Sequence, residues 1–296
     1  MSRHTSTLLT LLAAIFVTTP LPASGKTIES ANLVVSDATG SLSDQELARL
    51  ADEAERTLQR VLKLWSTDPG LERFGKIRVA FDRPRREFYS SVFYWDTTAG
   101  TKVRVVRVHG FEGGPQMMAH KLTSAVFPNE DKLIRNAMGV AAESRVGSPL
   151  TFPMCGFSND DWVLAFSRTK SLLPFEELGP DHASWGMDDA GQGKLLVTDK
   201  ARQHVAYAEA GSFGNYLLDL FGPEKIKKLN RISHQRSRPF QEVLGTGLPE
   251  LEADWLRTVR KGEESREDTL RLLVDLVKKN PGTACMEAQK LSATKR

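Results

Sequence analysis

The residue types and spacing that could do chemistry are concentrated in one short run, His120-Lys121-Leu122-Thr123-Ser124. On a helix, two histidines one turn apart, with a glutamate after the first, make a zinc site. Both imidazoles reach one ion, a third ligand comes from a neighbouring helix, and the glutamate takes the proton of the metal-bound water. Only the first histidine of that pattern stands here. Other groups offer weaker chemistry. His109 precedes His120 by eleven residues, and Glu143 follows Ser124 by nineteen, so the three could surround a metal. Ser212 lies in A-G-S-F-G, which lacks the first glycine of a nucleophile elbow and falls inside a helical run. The paired carboxylates Asp160-Asp161 and Glu176-Glu177 are adjacent in sequence and read as solvated, as does the Asp-rich loop at 181–193, whose spacing fits no calcium loop.

These residues need a scaffold, and the order of elements is readable. Residues 31–36, 77–81 and 103–108 are short β-branched runs and predict strands. Ser43 with Glu46 forms a capping-box pattern, followed by Leu47, Leu50, Ala51, Ala54, Leu58, Val61 and Leu62 at helical spacing, ending near Trp65. Residues 83–89 predict a short basic helix. The 110–115 loop leads into a helix over 117–127, and 132–144 predicts another. Residues 147–205 are irregular. Helices follow over 205–220, stopped by Phe221-Gly222-Pro223, then from 224, over 239–244, 248–259 and 267–279, with a loose polar tail. The fold class is α+β: a small N-terminal α/β part with a short mixed sheet, the His120 helix, and a mostly helical C-terminal half.

Several segments in this order carry a family likeness. Tyr207-Ala-Glu-Ala-Gly-Ser-Phe-Gly-Asn-Tyr-Leu217 followed by Phe221-Gly222, then Phe240 to Gly245, and LPELEADW over 248–255, stand after the His120 helix and after Met138-Gly139-Val140-Ala141. Over residues 75–260 the chain resembles the gluzincin metallopeptidases, with their peptidase MA-like domain. The resemblance implies a zincin-like active-site helix and a second helix whose E-G-x-A motif supplies the third zinc ligand. It implies domain limits of 26–260, with 261–296 a C-terminal helix and tail. It also implies which positions have changed. His120 keeps the first ligand position, Lys121 replaces the catalytic glutamate, Ser124 the second histidine and Met138 the third ligand.

The family's zinc is therefore expected to be lost. A lone imidazole cannot hold the ion as three ligands do, and a neighbouring ammonium repels it and is no base while protonated. Loss of a general base alone costs about 10²–10⁴-fold in rate. The expected function is that of a catalytically inactive metallopeptidase-like protein binding a peptide or another exported protein. The alternative is an active metal-dependent peptidase using His120, His109 and Glu143. Peptidases of this type hold substrate as an extended strand beside an edge strand. The expected edge here is 103–108, with Arg104, Val106 and Val108 on one face. Arginines there would also discourage edge-to-edge aggregation.

Composition limits the partners. The formal net charge is +3 over 296 residues, and no basic block is present, so no nucleic-acid partner is expected. Arg3, the apolar run 8–17, Pro20, Pro22 and the small residues Ala23 to Gly25 predict a signal peptide over 1–25, cleaved near Gly25-Lys26, with export to a periplasm or the medium. Ten apolar residues are too few to span a bilayer, and no later run is longer, so no stable membrane insertion is expected. In an oxidising compartment the two cysteines, Cys155 and Cys285, are expected to form a disulfide.

Overall fold

A computed structural model describes residues 25–82, 91–98, 100–109, 117–189, 195–234 and 238–293. Residues 1–24 of the expected signal peptide and the helix expected at 83–89 lie outside the described residues. In chain order the elements are β1 (Thr27–Glu29), β2 (Leu33–Asp37), α1 (Asp44–Trp65), α2 (Leu71–Phe74), β3 (Ile77–Asp82), β4 (Ser91–Thr98) and β5 (Thr101–His109). There follow α3 (Met118–Val126), α4 (Lys132–Val146), α5 (Asn159–Arg168), β6 (Met187–Asp189), β7 (Leu195–Val197) and α6 (Lys200–Ser233). The chain closes with α7 (Phe240–Leu244), α8 (Leu248–Arg260), α9 (Glu267–Lys279) and α10 (Ala284–Ala293). The molecule is α+β, with a small mixed sheet towards its N-terminus and a mostly helical C-terminal half.

The sheet runs β1-β2-β3-β5-β4. β2, β3 and β5 are parallel, while β1 and β4 pair antiparallel at the two ends. α1 forms as its sequence dictates. Ser43 and Glu46 make the reciprocal capping box, and the helix lays Leu47, Leu50, Ala54, Leu58 and Val61 inwards. Its apolar face packs with Leu33, Val35, Ile77, Val79 and Phe81 of the sheet and Leu122 and Ala125 of α3. A second apolar cluster joins α4, α6, α7 and α8 around Trp185, Phe213 and Trp255. Gly222, at φ 75° and ψ 166°, breaks α6 before Pro223, at the stop that the sequence predicts.

Three readings are corrected. β5 is an interior strand, hydrogen-bonded to β3 on one side and β4 on the other, so 103–108 is not the edge. The sequence reading passed over residues 91–98, and it is that segment which covers it. The 147–205 stretch holds a regular helix, α5, with its own Ser158–Asp161 capping box. The tail is not loose up to residue 293: it forms α10, which buries Ala284 and Ala288. Cys155 and Cys285 are joined in a disulfide with Cα atoms 5.4 Å apart, tying α10 to the segment before α5. Among the described residues, no helix is long and apolar enough to cross a membrane.

Candidate binding cleft

α3 is buried on nearly every side, from Ala119 to Ala125. Its apolar residues face the sheet and α1, which leaves His120, Lys121 and Ser124 towards α4 and α6. The His120 ring packs against α4 at Gly139: a Cβ there would lie 2.2 Å from its Cδ2. Tyr207 of α6 closes the far side, with ring centroids 5.9 Å apart. Burial, with the Lys121 and Arg135 cations, holds the imidazole well below its ordinary pKa, so it is neutral. Ser124 is turned back on its own helix, its Oγ donating to the His120 carbonyl at 3.2 Å. Lys121 places its Nζ 3.5 Å from His120 Nε2 and 5.8 Å from the centroid of the Tyr207 ring. Burial, then Arg135, lower its pKa to about 7, against the pull of Glu143.

The face that α4 turns to α3 is Asn136, Gly139 and Glu143, three residues at helical spacing. Met138 points the other way, into the apolar cluster with Leu133, Phe213 and Leu229. The alignment that puts Met138 at a third-ligand position is thus out of phase with the helix, and the correction follows from the contact between Gly139 and His120. Glu143 is buried and serves the backbone. Oε2 accepts from His120 N at 2.9 Å, while Oε1 accepts from Ser148 N at 3.1 Å and Thr151 Oγ1 at 3.2 Å. α3 has no side-chain N-cap of its own, and Glu143 satisfies one of its first-turn donors, the His120 N–H, from across the interface. Burial raises the carboxyl's pKa.

His109, His120 and Glu143 are not brought together. His109, at the end of β5, faces Asp82, with Nδ1 3.8 Å from Oδ2. Among the described residues, only Cys155, His204 and Cys285 place three candidate ligand atoms within 4.8 Å of one another, and its two sulfurs are already bonded to each other. The expected edge residues are also elsewhere. Arg104, Val106 and Val108 are fully buried beneath α3. Arg104 donates to the carbonyls of Pro69 and Ala125 and so holds the C-terminal end of α3. Ser212 donates to Asp160 at 2.6 Å and accepts from Trp255 Nε1 at 2.8 Å, deep in the helical layer.

The open feature of this region is a cleft of about 860 Å³. β4 forms one wall, through Val92 to Asp96; Lys121 and Ser124 form part of the floor; Lys132, Arg135 and Asn136 of α4 line one end; Pro180 to Met187 and Tyr207 form the other wall. A neighbouring hollow of about 920 Å³ shares Phe93, Tyr94, Trp95, Glu130 and Arg135 with it, so the two flank β4 continuously. β4 is the edge strand at this end of the sheet among the described residues, with Val92 buried, Phe93 and Tyr94 half-buried and Trp95 37 % exposed. Lys132 is only 4 % exposed, and its Nζ has no hydrogen-bond partner among the described residues. Burial, then Arg135, bring its pKa to about 7, while Asp181 and Asp189 pull the other way.

Of the residues that line this cleft, the sequence reading singled out Lys121 and Ser124 but not β4, Lys132, Arg135 or Asn136. Asn136, Gly139 and Glu143 were legible as one helical stripe. Nothing in a linear sequence marks a lysine as buried. No family model, curated protein or solved structure matches this chain.

Proposed function

We propose that this protein is an exported, metallopeptidase-like binding protein. It keeps the substrate-holding arrangement of a gluzincin and not its metal chemistry, and it binds an extended segment of a peptide or of another exported protein. The observation that carries this reading is the outer edge of β4 running beside an 860 Å³ cleft floored by α3. An added strand can pair with such an edge through its backbone, while the cleft reads alternate side chains. Hydrolysis has less support. His120 is packed against Gly139 and neutral, Glu143 is engaged with backbone donors, and Ser124 is bonded within its own helix. The Cys155–Cys285 bridge fits an oxidising compartment.

The test is selection from a displayed library of random ten-residue peptides, followed by amide exchange of the complex. The reading expects slowed exchange along β4 and loss of binding when Trp95 and Phe93 are replaced by alanine. Peptides that bind without protecting β4, or no selected peptide at all, would refute it. Peptide cleavage that needs zinc and disappears in His120→Ala would establish the active-peptidase alternative instead.

A further inference from the structure

The α4 end of the cleft has a charge pattern that a neutral peptide backbone does not use. Lys132 opens α4 and lines the cleft, yet its ammonium is buried and has no hydrogen-bond partner among the described residues. One turn along, Arg135 lines the same end and spends one donor, Nη1, on the carbonyl of Asn129 at 3.0 Å. Lys121 enters from the floor. Arg135 thus lies within electrostatic reach of both lysines, and Glu130 of the same lining and Asp131 act on Arg135. The carboxylates that act on Lys132, Asp181 and Asp189, form no ion pair with it within 4.0 Å: Asp181 bonds Ser184, and Asp189 faces His182. A buried, unpaired ammonium is destabilising, and an anion that reaches it relieves that penalty.

We propose that Lys132 and Arg135, flanked by Lys121, form a carboxylate subsite that selects an acidic group on the bound segment. This rests on the peptide-binding reading above and narrows it to acidic peptides. The carboxylate is either a Glu or Asp side chain within the segment or its free C-terminus. Both present two oxygens to a fork of guanidinium and ammonium donors. The subsite works only while Lys132 is protonated. The groups that face this lysine are Arg135 on its own helix, Asp181 and His182 on the opposite wall, and Asp189 of β6. With its pKa near 7, affinity falls as pH rises through neutrality, by about tenfold between pH 6 and pH 8.

Trp95 reports the binding, because the other four tryptophans are fully buried. Titrations use sodium acetate alone and three acetylated pentapeptides: Ala-Val-Glu-Val-Ala-amide, the same with Gln for Glu, and the Gln peptide with a free C-terminal carboxylate. The expected result is that acetate competes with peptide, and that at least one acid peptide binds about tenfold more tightly than the neutral one. That preference falls away above pH 8 and is lost in Lys132→Met. Tighter binding of the Glu peptide alone identifies a side-chain carboxylate; tighter binding of the free acid alone identifies a C-terminus. Lys132→Met removes a buried charge without removing volume and is expected to fold. Arg135→Gln is the second variant and should show the same loss of preference. If acid and neutral peptides bind equally, with no effect of pH or of either variant, the subsite is refuted and the peptide reading survives. If acetate binds through Lys132 but no peptide does, the subsite stands and the peptide reading falls. If neither binds, both fall.

Discussion

Glu143 separates a structural carboxylate from a metal ligand, and its replacement can be worked from the contacts. In Glu143→Ala, two backbone donors, His120 N and Ser148 N, lose their acceptor. Thr151 keeps a second partner, because its Oγ1 also donates to the Ser148 carbonyl at 2.7 Å. The buried His120 N–H left without an acceptor costs about 1–3 kcal/mol, and the half-buried Ser148 N–H costs less. Part of that is offset, because a carboxylate whose pKa burial has raised no longer has to be kept in the interior. A net loss of about 1–3 kcal/mol is expected. Glu143→Gln retains one acceptor. With its carbonyl on His120 N, its amide can donate to Thr151 and only Ser148 N is orphaned, for about half that loss. Urea unfolding measures both, with the midpoint moving and the slope unchanged. The same series is run with chelator and with added zinc. A capping role predicts identical losses in both conditions. Glu143→Ala within about 1 kcal/mol of the parent would refute the capping argument. Zinc that stabilises the parent and not the variant would refute it as well, by making Glu143 a ligand.

Two further perturbations test the packing around the same helices. Gly139→Ala drives a Cβ to 2.2 Å from His120 Cδ2 and 2.6 Å from Nε2, and should cost about 1–3 kcal/mol; in a His120→Ala background it should become neutral or stabilising, because alanine favours the helix by about 1 kcal/mol. A double-mutant cycle by urea unfolding checks this, and additive effects would show that the two side chains do not meet. His204 is buried among Trp162 and Phe166, with Nε2 2.9 Å from the Pro153 carbonyl, and burial lowers its pKa from 6.5 to about 4. The unfolded chain therefore binds this proton first. Stability from this residue is complete above about pH 6.5 and declines as pH falls to about 4, by on the order of 3 kcal/mol. His204→Gln should flatten that part of the stability profile, and an unchanged profile would refute the assignment.

The parts legible in the sequence were those set by local rules. The capping box at Ser43, the apolar spacing of α1, the β-branched runs of β2 and β3 and the limits of α9 all appear where residues 43–65, 31–36, 77–81 and 267–279 placed them. What failed depended on long-range pairing or on helix phase. Ser91 to Thr98 carries aromatics at an edge, and only its antiparallel pairing with β5 turns β5 into an interior strand. Met138 was placed by matching letters, whereas the phase of α4 is fixed by Gly139, the one residue small enough to admit the His120 ring. Lysine is read from sequence as solvated. Lys121 and Lys132 are buried because α3 and α4 lie under β4 and the 180–187 wall, a fact of tertiary packing.

The lysine that departs from the zinc motif gains a consistent meaning in this setting. A cation 3.5 Å from His120 Nε2 disfavours a metal there, whichever other ligands are offered. The same charge adds to Lys132 and Arg135 on the cleft side of the helix and favours an anion instead. On the proposed reading, Lys121 in the floor would disfavour a metal and favour an acidic ligand together. The balance is conditional on pH, since burial has brought both lysines to about 7 and an anion draws them back towards the charged form. On the proposed reading, an acidic segment would be held below neutrality and released above it, without any change in fold.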